Sequence, residues 1–90
     1  MLIPEYAGQF KREYKLAIKR GLDIALIDSV MTDLINEIPL DEKYKDHALT
    51  GNLKDYRECH IKPDWLLKYR ITDGGIYFSR TGTHSDIFTS

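Results

Sequence analysis

Between Phe10 and Ile38 apolar side chains recur at helical spacing, and from Tyr56 onward they tend to fall at every second position. The first pattern predicts two amphipathic helices. One runs from about Gly8 to Arg20, with Phe10, Tyr14, Ala17 and Ile18 as its apolar stripe and Gly21 at the site of a left-handed helix end. The other starts after Asp23, a capping residue, and runs to about Glu37. Its stripe is Ile27, Val30, Met31, Leu34 and Ile38, with Asp28, Asp33 and Glu37 turned outward and Pro39 as the stop. So short a joint makes the helices antiparallel neighbours. The second pattern predicts strands over Tyr56 to Ile61, Trp65 to Ile71 and Ile76 to Arg80. Lys62-Pro63-Asp64 and Thr72-Asp73-Gly74-Gly75 are the turns between them. A shorter strand is expected at His47 to Leu49, and another at Leu2 to Tyr6, where Pro4 restricts it to an edge or a strand start.

Helices first and a meander afterwards predict one α+β domain over residues 1–90. Two N-terminal helices would pack on one face of a small, mainly antiparallel, four- to five-stranded sheet. The opposite face is then partly open, and a polymer could lie on it.

Composition narrows the function classes. The chain has 90 residues, 42% hydrophobic and 30% charged, which suits one modest core and leaves little room for an elaborate cofactor pocket. No apolar run approaches the ~20 residues that span a bilayer, and the N-terminus lacks a basic stretch followed by a long apolar one. A cytoplasmic location, with no membrane contact, is the expectation. Cys59 is the only cysteine, which excludes a disulfide framework or a cysteine zinc cluster within one chain. The formal net charge of −1 is low for a nucleic-acid enzyme. The charge is uneven, however: Lys11, Arg12, Lys15, Lys19 and Arg20 crowd one stretch, and acids dominate the next.

The candidate chemistry lies in the three histidines, His47, His60 and His84, each at a strand end or turn. Moving a proton off a 2′-hydroxyl and another onto a leaving 5′-oxygen needs groups that titrate near neutrality, as imidazole does. Arg80 could steady charge on a phosphoryl group. Trp65, Tyr56, Tyr69, Phe78 and Phe88 could stack unpaired bases. Structural readings stand beside these. Each histidine could be surface decoration, Trp65 and Tyr69 could be core beside Leu67 and Ile71, and Arg80 could pair with Glu58 across the sheet. The stripe of Lys11, Lys15 and Lys19 could be a solvated helix face, or could contact phosphate or an acidic partner. His60, Asp64 and His84 could supply a metal with two imidazoles and a carboxylate, although neither a helical histidine pair nor an acidic cluster supports that. Spacing and chemistry alone reach an RNA-binding or RNA-cleaving α+β domain.

Four blocks in register add to this: Asp46-His47-Ala48-Leu49-Thr50-Gly51, Tyr56-Arg57-Glu58-Cys59-His60-Ile61, Pro63-Asp64-Trp65-Leu66-Leu67-Lys68-Tyr69, and Arg80-Thr81-Gly82-Thr83-His84-Ser85-Asp86-Ile87-Phe88. With Tyr6-Ala7-Gly8-Gln9-Phe10 at the start, the chain resembles the YafQ-type branch of the RelE-like bacterial toxins from about Glu5 to Phe88. The resemblance implies a toxin of a type II toxin–antitoxin pair, a ribosome-dependent endoribonuclease that cuts mRNA during translation. It implies no metal and no other cofactor, with internal attack of the 2′-hydroxyl leaving a cyclic phosphate. It also implies a cognate antitoxin and contact with operator DNA only through the antitoxin complex. The family's functional positions fall on His47, His60, Asp64, Trp65, Arg80, His84 and Phe88, and all are present.

The expected roles follow from that resemblance. His84, on a terminal turn, transfers a proton, and Arg80 meets the scissile phosphate. His60 and Asp64 form a second acid/base pair, and His47 is a further proton or phosphate contact. Trp65 and Phe88 position a base or the local loop. Lys11, Lys15 and Lys19 offer a basic patch to ribosomal RNA or antitoxin. The rival is a non-catalytic RNA- or partner-binding module of the same fold.

Overall fold

The computed structural model describes residues 1–88. Strand β1 (Ile3–Tyr6) leads into helices α1 (Gly8–Lys19) and α2 (Ile24–Ile35). A 3-10 turn (Glu42–Tyr44), the short β2 (His47–Ala48) and a second 3-10 turn (Gly51–Leu53) follow. Strands β3 (Arg57–Lys62), β4 (Trp65–Thr72) and β5 (Gly75–Gly82) and a short helix α3 (His84–Phe88) complete the chain. The sheet has five strands in the order β1-β5-β4-β3-β2. It is antiparallel except where β1 runs parallel to β5, so Pro4 does lie on an edge strand.

Local chemistry sets both helix ends. Gly21 takes φ of +77°, and the N–H groups of Gly21 and Leu22 return to the carbonyls of Ile18 and Ala17. Asp23 caps α2 by accepting from the Ala25 N–H at 3.1 Å. At the far end of α2 the N–H groups of Glu37 and Ile38 bond to Leu34 and Asp33, with Glu37 left-handed at φ +59°. The helix therefore closes before Pro39, and Ile38, expected in the stripe, is half exposed. Ile18 and Ile71, also expected inward, are likewise about half exposed and stand outside the core.

The core forms where α1 and α2 meet the sheet. Phe10, Ala17, Ile27, Val30, Met31 and Leu34 pack on Cys59, Ile61, Trp65, Leu67, Tyr69, Ile76 and Phe78. The Tyr14 hydroxyl donates to Asp28 at 2.6 Å and ties the helices side by side. By strand alternation Glu58, His60, Leu66 and Lys68 belong to the other face. Leu66 and Ile87 are buried outside the helix-side core, so α3 covers part of this second face and leaves the rest open. The third helix is the element that the periodic pattern missed.

Candidate active site

The sheet's open face gathers the three histidines that the sequence singled out. His60, near the end of β3, stands between the other two: its ring centroid is 6.3 Å from that of His47 and 5.6 Å from that of His84. Phe88 extends the row, 6.3 Å from His84, and is half exposed. Four rings thus line one surface path.

Each imidazole sits in a different electrostatic setting. His84 opens α3, and Asp64 Oδ1 lies 3.0 Å from its backbone N–H and 2.6 Å from Nδ1. Nδ1–H donates to the carboxylate, which leaves Nε2 for other work. The two hydrogen bonds from His84, backbone and side chain, hold the Asp64 carboxyl below its ordinary range. The expected pairing of His60 with Asp64 is therefore corrected: the β3–β4 turn aims Asp64 at α3, away from the strand that precedes it. His60 is half-buried, and desolvation lowers its pKa. Glu58 opposes that shift, while His84, Lys45 and His47 add to it. His47 places Nδ1 2.7 Å from the Lys45 carbonyl, with Lys45 in the left-handed region at φ +50°. Its Nε2 lies 4.0 Å from Glu58 Oε1. Just before it, Asp46 accepts from the Tyr69 hydroxyl at 2.5 Å and from Arg57 at 3.3 Å, which fastens β2 to the sheet.

Glu58 went unrecognised as a site residue. It is buried, Oε2 is buried without a partner among the described residues, and so is His60 Nδ1. A buried carboxylate with an orphaned oxygen is uncommon in a finished core and suits a surface completed by a ligand. The signal was legible, because Glu58 stands two residues before His60 on a strand and so shares its face. The expected pairing of Glu58 with Arg80 does not form.

Arg80 is engaged elsewhere. Its Nε and Nη2 grip the Glu13 carboxylate of α1 at 3.0 and 2.9 Å, and Nη2 also donates to the Asp86 carbonyl at 3.0 Å. Glu13 accepts in addition from the Thr81 N–H at 3.2 Å. Nearby, Asp86 accepts from Arg20 at 3.0 Å and from the Thr83 N–H at 3.0 Å, while the Asp86 N–H donates to Thr83 Oγ1. Thr83 and Asp86 thus form a reciprocal cap that starts α3 at His84. Gly82 permits it, since a Cβ there would come within 2.9 Å of Asp86 Oδ2. The expected contact between Arg80 and phosphate is not made freely in this structure: a bidentate carboxylate and a carbonyl engage Nε and Nη2.

The remaining expectations divide. Trp65 is buried and its indole N–H donates to Thr81 Oγ1 at 3.0 Å, so it is part of the core rather than a free stacking surface. Lys11 and Lys15 border a shallow hollow with Tyr6, Phe10, Tyr14, Asp28 and Met31, and no histidine lines it. Lys19 is exposed in the last turn of α1. The structure does not bring these lysines into the histidine row. Burial pushes the Cys59 thiol up to about 12, so it is no nucleophile. Among the described residues no three histidine, cysteine or carboxylate side chains are grouped so as to hold a metal ion.

Comparison with known proteins adds to this geometry. The family described as bacterial toxin of type II toxin–antitoxin system, YafQ, matches residues 2–89. The mRNA interferase toxin YafQ of Escherichia coli K12 is 48% identical over 85 residues, covering 93% of this chain and 92% of that protein. The E. coli DinJ–YafQ toxin–antitoxin complex contains a chain of the same fold, with 46% identity, a TM-score of 0.91 and 97% of each chain covered. A metal-bound toxin from Helicobacter pylori is 44% identical with a TM-score of 0.92, covering 98% of this chain and 100% of that one.

Proposed function

This chain belongs to the YafQ family of toxins of bacterial type II toxin–antitoxin systems, and from that premise we infer that its histidine row is the active site of an mRNA interferase. It is an endoribonuclease toxin, and its partner is a cognate antitoxin, as DinJ is for the E. coli relative. The observation that carries the site is the run of three imidazoles with Asp64 on the outermost one.

The chemistry follows from the settings of the rings. The 2′-oxygen bonds to phosphorus, the bond from phosphorus to the 5′-oxygen breaks, and a cyclic phosphate and a 5′-hydroxyl result. One proton leaves the 2′-hydroxyl and another reaches the 5′-oxygen. His60 suits the accepting role, because burial disfavours its charged form. His84 suits the donating role, because the Asp64 carboxylate sits on Nδ1, where it would balance an imidazolium, and does not occupy Nε2. His47 faces Glu58 and steadies the negative charge that gathers on the phosphoryl oxygens. Phe88, half exposed beside His84, stacks a flanking base. Arg80 is a positioning residue: it anchors α3 through Asp86 and α1 through Glu13, and so fixes where His84 stands.

The ribosome supplies the message in the decoding site, operator DNA is reached through the antitoxin complex, and the toxin acts in the cytoplasm. No described helix is long and apolar enough to cross a membrane. The imidazoles perform both proton transfers without a metal ion. Translating extracts programmed with a defined message test this reading through the cut ends. Cleavage that persists in EDTA and disappears when translation is blocked supports it. Loss of cleavage in EDTA, restored by added metal, sinks the metal-free mechanism.

A further inference from the structure

Two clefts adjoin the histidine row, and only one has charge to spare. The first, about 610 Å³, is lined by Arg20, Lys62 and Arg80 and by Glu13, Asp64 and Asp86, so its charges balance. Most are already joined, Arg80 to Glu13 and Arg20 to Asp86. The second, about 500 Å³, is lined by Lys43, Lys45 and Lys62 together with Tyr44, His60 and His84, and no carboxylate lines it. None of the three lysines forms an ion pair among the described residues. Lys43 Nζ lies instead over the Tyr44 ring, 5.2 Å from its centroid. In a chain of net charge −1, this is a local concentration of unneutralised positive charge.

We propose that this second cleft is a binding site for the phosphates of the substrate RNA strand next to the scissile bond, held by Lys43, Lys45 and Lys62. The proposal rests on the mRNA-interferase reading and adds to it the path of the strand. His60 and His84 line the cleft and also stand in the catalytic row, so a strand lying in it passes from the lysines directly to the imidazoles. The Lys45 backbone, turned left-handed, offers its carbonyl to His47 while its side chain lines the cleft. One residue thus links strand binding to the geometry of a catalytic ring. The cleft is separate from the hollow that Lys11 and Lys15 border, which no histidine lines.

The test compares ribosomes carrying a message 2′-O-methylated at the decoding-site codon, which cannot be cut, with ribosomes whose message ends before that codon. The wild-type toxin should bind the first more tightly. The Lys43→Ala/Lys45→Ala/Lys62→Ala protein should lose roughly ten- to a hundredfold of affinity for the first and little for the second. Its salt slope on the first should be shallower by about 2, at about 0.7 for each phosphate contact on a single strand. On a cleavable message its KM should rise, with kcat within a few-fold of wild type. Equal losses on both ribosomes would place the lysines on ribosomal RNA and overturn the proposal, and so would no loss on either. Intact message after wild-type treatment is a different result, since it overturns the mRNA-interferase reading itself. All three side chains are exposed, so the variant should melt like the wild type.

Discussion

The clefts on either side of Lys62 hold similar numbers of cations and use them in opposite ways. In one, Glu13 and Asp86 accept from Arg80 and Arg20 and join α1, β5 and α3. In the other, the lysines have no ion-pair partner among the described residues and share the cleft with His60 and His84. Paired charge therefore builds the scaffold that holds His84, while unpaired charge is left for a phosphate strand. Arginine takes the fixed positions and lysine the open ones, as their hydrogen-bonding geometries favour.

The strongest way to break this comparison is to remove Arg80. Glu13 would remain with a side chain only 11% exposed and no cation, which costs about 3–5 kcal/mol. Urea denaturation of Arg80→Ala should show it, and Arg80→Met with Glu13→Leu should recover most of the loss. Recovered stability without recovered cleavage would make Arg80 a direct phosphate ligand after all. A single lysine is the gentler test. Lys45→Ala should leave the denaturation curve unchanged and make the salt slope of message binding shallower by about 0.7.

Arg20 should matter less to stability. Its bond to Asp86 is partly exposed, so Arg20→Ala should cost about 0–1 kcal/mol. Its effect should appear instead as a lower kcat at unchanged KM, because α3 carries His84. The smallest effect is a shift in titration. His60 should titrate below its ordinary value by NMR, and Glu58→Gln should lower it further, since Glu58 is the group that raises it. The folded chain then binds this proton less readily than the unfolded chain. Stability should fall as the pH drops below about 6.5 and level off beneath the folded pKa of His60. His60→Gln should remove that part of the slope. Asp64, with its lowered pKa, contributes at higher pH and loses its contribution only as the pH falls through its own depressed value.

The features that local chemistry determines were legible in the sequence. Gly21 and Asp23 marked their helix ends, Asp73-Gly74 its hairpin, and Pro4 an edge strand. The capping pair of Thr83 and Asp86 was equally local and announced α3, yet a five-residue helix is too short for periodicity to register. What the sequence hid is set by tertiary pairing. Glu13 meets Arg80 across 67 positions, and Asp64 turns toward a histidine 20 positions on rather than the one four positions before it. The lysine cleft draws on the 3-10 turn before β2 and the end of β3, so no run of basic residues advertises it. The conspicuous run, Lys11 to Arg20, lies on α1 and serves partly as structure through Arg20.

The most direct test of the account is the map of message ends on translating ribosomes treated with the wild-type toxin or with His84→Ala. Proton transfer by His84 predicts cuts at the decoding site with wild type, and a loss of roughly 10²–10⁴ in cleavage rate for the variant at near-unchanged ribosome affinity. Cleavage by His84→Ala at close to the wild-type rate would contradict it.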